Sequence, residues 1–171
     1  MRISLIATVR NEAGTIQDFV ESLMAQTRRP DEIIIVDGGS SDDTVKILQQ
    51  YAQLSQLPIR VVCEPGANIS RGRNVAIAAA TGPLIASTDA GVRLDPHWLA
   101  ELIKPFEISQ ETRVVAGFFE PDPQTTFEVA LGATVLPALS DINPATFLPS
   151  SRSIAFVKSS WAEAGCYPEW L

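Results

Sequence analysis

The chain has 171 residues, 46% of them hydrophobic and 19% charged, and its 13 Lys+Arg against 20 Asp+Glu leave a net charge of −7. That length suits one domain, in which about 70% of the unfolded chain's surface can be buried without covalent staples. The acidic balance argues against non-specific nucleic-acid binding, which needs many phosphate-neutralising cations, but leaves room for a local basic pocket for a small anion.

From the N-terminus, "ISLIATV" (3–9) reads as a strand, and its flanks lack the small-residue cleavage site of a signal peptide. Ile16, Phe19, Val20, Leu23 and Met24 then fall on one helical stripe. "EIIIVD" (32–37) is a second strand, and a second helix follows with Ser41, Asp42 or Asp43 as its cap and Val45, Leu48 and Tyr51 as its stripe. "IRVVCE" (59–64) is a third strand, "RNVAIAAA" (73–80) a small-residue helix closed near Gly82, and "PLIAST" (83–88) a fourth strand. The four strands are continuously apolar, the pattern of strands covered on both faces. "DPHWLAELIKPF" (95–106) places Asp95 at an N-cap and Pro96 at the first helical position. Beyond it come a strand over 112–119, a helix near 125–139 and, in "RSIAFVKSSWAEAG", a strand followed by a short helix ending at Gly165.

No apolar stretch approaches the roughly 20 residues of a membrane span. Cys63 and Cys166 make neither a disulfide framework nor a four-ligand zinc site, and read as small buried apolar residues. The expectation is a soluble, cytoplasmic domain, with the cytoplasmic face of a membrane as its alternative setting.

Strand–helix alternation with short connections predicts a parallel α/β sheet, whose ligands bind outside the carboxyl ends of the strands. The unusual polar stretches all fall there: "RNE", "DGGSSDD", "GANISRGRN" and "STDAG". Asp37 ends the second strand before two glycines and is placed either to accept hydrogen bonds from a nucleobase or ribose or simply to cap a turn. Arg71 and Arg73 stand at a helix start, suited to a phosphate or a base carbonyl, or else to facing solvent or pairing with Asp37 or Asp89. Asp89 ends the fourth strand and is a candidate ligand for a divalent cation, although one carboxylate is a thin ligand set. Asp95 reads as a cap, and His97, the lone histidine, as a surface residue.

Taken together these residues resemble the family 2 glycosyltransferases. Asn11-Glu12 in "TVRNEAGTI" matches the family's Asn-Glu, "VDGGSSDDT" its Asp-Asp-Gly-Ser-x-Asp, "RGRNVAIAAATG" its Arg-Asn before a small-residue helix, and "STDAG" the place of its Asp-x-Asp. The resemblance is strongest over 1–106 and resumes at "RSIAFVKSSWAEAGCYPE". It implies a GT-A (Rossmann-like) three-layer sandwich with a mainly parallel sheet, residues 1–106 being the nucleotide-sugar-binding half and 107–171 the start of the acceptor-side half. It further implies sugar transfer from a nucleotide-diphosphate donor such as a UDP-sugar to an acceptor hydroxyl, with inversion.

Carried over by position, Thr8, Arg10 and Glu12, with Asp37 and Arg71 or Arg73, hold the nucleotide, and Asp89 faces the ribose and diphosphate directly or through Mn²⁺ or Mg²⁺. Gly38 and Gly91 stand where the family has a second Asp in each motif. No residue matches the catalytic base, which is expected beyond Leu171 in a longer enzyme whose remaining part would hold the acceptor site and any membrane-associating segment. The acceptor, whether glycan, lipid or small molecule, is left open. Two other readings are a silent nucleotide-binding or interaction module of the same fold and a nucleotidyltransferase; the single basic residue and single Gly of "TVRNEAGTI" speak against the latter.

Overall fold

The computed structural model describes residues 1–135, 138–143 and 146–170. In chain order the elements are β1 (Ile3–Val9), α1 (Ile16–Met24), β2 (Glu32–Asp37), α2 (Thr44–Leu54), β3 (Ile59–Cys63), α3 (Ile69–Ala79), β4 (Leu84–Asp89), α4 (Trp98–Ile108), β5 (Val114–Ala116), α5 (Thr126–Val135), β6 (Ile154–Val157) and α6 (Lys158–Glu163). The strands form a single sheet in the order β3-β2-β1-β4-β6-β5. The first four run parallel; β6 lies antiparallel between β4 and β5.

Alternation along the central strands divides the core into two layers. Leu5, Ala7 and Val9 of β1 face Phe19, Val20 and Leu23 of α1 and Leu48 of α2, while Leu84 and Ala86 of β4 pack on Leu99, Leu102 and Phe106 of α4. Ile6, Ile34, Val36 and Ile85 project to the other face, against Ala76 and Ile77 of α3. Because β1 and β4 are covered on both faces, their sequences carry no polar alternation.

The structure corrects several boundaries. The third helix begins at Ile69, not at residue 73, because the Asn68 side chain accepts the Arg71 N–H at 2.8 Å and turns "ISRG" into the first helical turn. The fourth begins at Trp98: Asp95 does accept a backbone N–H, but from His97 ahead of the helix. The strand expected over 112–119 pairs only at Val114–Ala116. The helix expected near 125–139 is found at Thr126–Val135, and its residues 136 and 137 lie outside the described residues. Met24 leaves the apolar stripe and is exposed. Both cysteines are exposed instead of buried: Cys63 ends the edge strand β3, covered on fewer sides than β1, and Cys166 follows the turn that stops α6. Among the described residues no helix is long and apolar enough to cross a membrane.

At the amino ends of the strands, remote from the polar rim, Glu32 ties β1, β2 and the approach to β4 together. Burial raises its pKa, but hydrogen bonds from the Ser4 and Thr81 hydroxyls and the Thr81 and Gly82 N–H groups outweigh this and bring it down from 4.5 to about 2. A depressed carboxylate stabilises the fold above its unfolded pKa and ceases to do so as pH falls through the folded one. Glu32→Gln should therefore cost about 1–2 kcal/mol near neutrality after allowing for solvent screening. Urea unfolding at descending pH should show that cost shrinking between about 4.5 and 2.

Candidate functional site

β1 sits where the sheet changes direction: β2 and β3 extend from one side of it and β4 from the other. At such a switch point the connections leaving neighbouring strands diverge and open a crevice at their carboxyl ends. The register places Thr8 opposite both Val36 and Asp89 at that edge. A cleft of about 520 Å³ lies there. Its floor is Thr8, Val36 and Asp89, its walls are the Arg10–Glu12 and Ala90–Val92 loops, and the N-terminal turn of α3 closes one side at Asn68, Ile69 and Gly72.

The first wall is held by its own side chains. Asn11 adopts a left-handed backbone (φ 55°), a conformation Asn tolerates better than most residues. Its Oδ1 accepts the Ser41 N–H at 2.8 Å while its own N–H donates to Ser40 Oγ. Glu12 N–H donates to Thr44 Oγ1 and Ala13 N–H to Asp42 Oδ2. The Asp42 carboxyl is lowered from its ordinary pKa by the Thr44 hydroxyl first, partly opposed by desolvation, and also by backbone N–H groups. The "RNE" and "GGSSDDT" loops are thereby stitched into one rim.

α3 is drawn close to β1, since a Cβ on Gly72 would lie 2.8 Å from Thr8 Cγ2. A Cβ on Gly38 would meet the Ala67 carbonyl at 3.0 Å, so a second aspartate at 38 would need the neighbouring backbone to give way. Gly91 is different: nothing lies within 4 Å of the position its Cβ would take.

Of the residues expected at the site, Thr8, Arg10, Glu12 and Asp89 line the cleft. Asp37 does not. It is buried behind the wall, where its carboxylate accepts the Gly39 and Ser40 N–H groups at 3.0 Å and the Ser40 hydroxyl, and so shapes the loop carrying Gly38. Arg71 points away, half-exposed, onto Glu64 at 2.5 Å and toward Glu169 at 3.7 Å; the Glu64 carboxylate raises its pKa. Arg73 lies beneath the floor, its side chain only 10% exposed. It donates through Nη2 to Asp89 Oδ1 at 2.8 Å, and its guanidinium rests over the Tyr167 ring at 5.7 Å. Asn74 reaches the opposite way: its amide contacts Trp161 Nε1, the Tyr167 N–H and carbonyl, and Glu169, all at 2.9–3.0 Å. It fastens the segment after α6 to α3 and sets Tyr167 against Arg73.

One cleft residue escapes sequence reasoning. Arg152, 63 positions beyond Asp89, brings its Nε to 3.4 Å from Asp89 Oδ2. A basic residue just ahead of a short strand gives no sequence sign of where that strand will pair; only the β4–β6 pairing brings it here.

The donor chemistry bears on the cation expected at Asp89. Mn²⁺ and Mg²⁺ are held by several oxygens. Here both oxygens of the single carboxylate face guanidinium groups, and the described residues contain no cluster of three Asp, Glu, His or Cys side chains able to hold a metal ion. These residues do not fit a cation held by the protein.

Residues 4–145 match the family described as Glycosyl transferase family 2. The chain belongs to that family. Similar curated proteins include the uncharacterized glycosyltransferase alr2836 of Nostoc sp., 30% identical over 115 residues, which are 67% of this chain and 36% of that protein. Another is the uncharacterized glycosyltransferase YibD of Escherichia coli, 34% identical over 95 residues, 56% of this chain and 27% of that one. The chain thus spans about a third of the length of these relatives. Among solved structures, the mannosyltransferase PcManGT of Pyrobaculum calidifontis in complex with GDP-Man and Mn²⁺ superposes with TM-score 0.77 at 21% identity, over 98% of this chain and 48% of that one. TarS 1–349 of S. aureus in complex with UDP-GlcNAc gives 0.71 at 20%, over 100% of this chain and 50% of that one. The fold is accordingly that of the GT-A glycosyltransferases.

Two expected outcomes test this geometry. Asn74→Ala should destabilise the chain by about 2–3 kcal/mol in denaturant unfolding, because it strands the Trp161 Nε1–H and Tyr167 N–H partners. Gly91→Asp, entering open space beside Asp89, should bind Mn²⁺ more tightly than the parent chain, as read from the free-ion signal in paramagnetic resonance.

Proposed function

We propose that this chain forms the donor-binding half of an inverting glycosyltransferase that passes a sugar from a nucleoside diphosphate to an acceptor hydroxyl. The observation that carries the reading is the cleft at the β1–β4 switch point, with Thr8 and Asp89 on its floor and guanidinium groups on either side of Asp89. Family membership supports sugar transfer as the chemistry, and the two neighbours solved with GDP-Man and UDP-GlcNAc support a nucleotide sugar as the donor.

In this reading the Arg10–Glu12 rim and the Asn68–Gly72 turn flank the nucleoside, and the diphosphate extends toward Asp89 and Arg152. The backbone N–H groups opening α3 add a partial positive charge on the same side. During transfer the bond from the anomeric carbon to the diphosphate oxygen breaks and its electron pair leaves with the diphosphate. The acceptor oxygen bonds to that carbon from the opposite face, and its proton passes to a general base. The cationic groups around Asp89 counter the charge that collects on the leaving diphosphate, where fixed charge is most effective. Asp89 orients those groups.

The single carboxylate, with Gly91 in the second position, favours a further possibility, a module that binds the donor without transferring sugar. Calorimetric titration of the chain with UDP and GDP is the test. Saturable binding of one of them supports the donor cleft, and slow release of free sugar from the matching nucleotide sugar separates an enzyme from a silent module. Failure of both nucleotides to bind would end the reading.

A further inference from the structure

The disagreement between Asp89 and a cation site has a physical resolution within the cleft itself. A diphosphate carries several negative charges that a binding site must neutralise, and a guanidinium does this with a planar fork of donors matched to phosphate oxygens. We propose that Arg152 takes the place of the divalent cation and binds the donor's diphosphate directly, with Arg73 adding its charge from beneath the floor. This rests on the nucleotide-sugar reading of the cleft.

Four observations carry it. First, Arg152 lines the cleft and is 53% exposed, so its guanidinium is within reach of a ligand. Second, it approaches Asp89 through Nε at 3.4 Å, and neither Nη makes a hydrogen bond among the described residues, which leaves the bidentate edge free. Third, its position is built. Ser87 Oγ on β4 donates to the Ser151 carbonyl at 3.0 Å, Trp98 Nε1 on α4 donates to Ser153 Oγ at 2.9 Å, and the Gly117 N–H donates to the Ser153 carbonyl at 2.8 Å. The residues on both sides of Arg152 are thus pinned, and its guanidinium also lies over the Phe119 ring at 5.5 Å. Fourth, Arg73 is almost wholly buried, and its Nε is a buried donor with no partner among the described residues. Buried donors of that kind are rare in folded proteins unless another group completes them.

Charge supports the same assignment. In a chain of net charge −7, the cleft and its floor collect Arg10, Arg73 and Arg152 against Glu12 and Asp89. Asp89 holds both guanidiniums in place, much as a second carboxylate would otherwise have held a metal.

The test is titration of the chain with UDP, GDP and the corresponding nucleosides, each in EDTA and in Mn²⁺. The diphosphate that binds is expected to bind in EDTA, with an affinity that Mn²⁺ leaves unchanged. Arg152→Ala should weaken the diphosphate about 10- to 100-fold, the effect of losing hydrogen bonds to a charged group, and leave the nucleoside unaffected. Arg152→Lys, which keeps the charge without the fork, should fall between. A wild-type chain that binds the diphosphate only with Mn²⁺, or an Arg152→Ala chain that binds it as tightly as the parent, would overturn the assignment while sparing the donor cleft. Absence of binding by nucleoside and diphosphate alike would overturn the donor reading and this inference with it.

Discussion

The ion pair between Arg73 and Asp89 is the point on which the cleft depends. It joins a helix on one face of the sheet to the carboxyl end of a strand, with 2.8 Å between donor and acceptor and little solvent around the guanidinium. A charge in such a place is tolerable only when it is paired and hydrogen-bonded. α3 packs on β1 and β2, where Gly72 leaves out the side chain that would prevent it, and the ion pair ties the same helix to the end of β4. Thr8, Asp89 and the first turn of α3 consequently share one concave surface.

The second arginine changes what that surface can attract. With Arg73 alone, Asp89 would present a free oxygen toward the cleft, a reasonable start for a cation site. With Arg152 on the other oxygen, the carboxylate is flanked on both sides by guanidinium groups. The space left open by Gly91 shows that steric crowding is not what keeps a second carboxylate out.

The part of the chain after α4 does its work from a distance. β6 pairs antiparallel with β4 and carries Arg152 to the cleft, while the residues after α6 return to α3 through Asn74 and set Tyr167 beneath Arg73. The Arg-Asn pair that resembles a ligand-binding motif thus has two structural duties, one residue facing the floor of the cleft and the other anchoring the segment after α6. Asp37 is a similar case. Its position at a strand end before glycines suggests a ligand, yet its carboxylate is engaged by Gly39 and Ser40 of its own loop.

Local signals sufficed for a large share of this. The runs at Ile3–Val9 and Glu32–Asp37 and the stripe at Ile16–Met24 bound their elements directly, because two-sided burial demands continuous apolar residues and one-sided burial demands a helical period. Strand–helix alternation implied a parallel sheet, and a parallel sheet implied that "RNE", "DGGSSDD", "GANISRGRN" and "STDAG" share one edge; of the residues expected at the site, Thr8, Arg10, Glu12 and Asp89 line the cleft, while Asp37, Arg71 and Arg73 do not. What the sequence by itself determined was therefore the parallel part of the sheet with its covering helices and the edge on which the cleft lies. The tertiary structure alone decided which polar side chains face that cleft and which serve the frame, and it alone brought Arg152 to Asp89. The reason is physical: hydrophobic period is written residue by residue, whereas the partner of a charged side chain is set by strand pairing and loop packing between positions far apart in the chain.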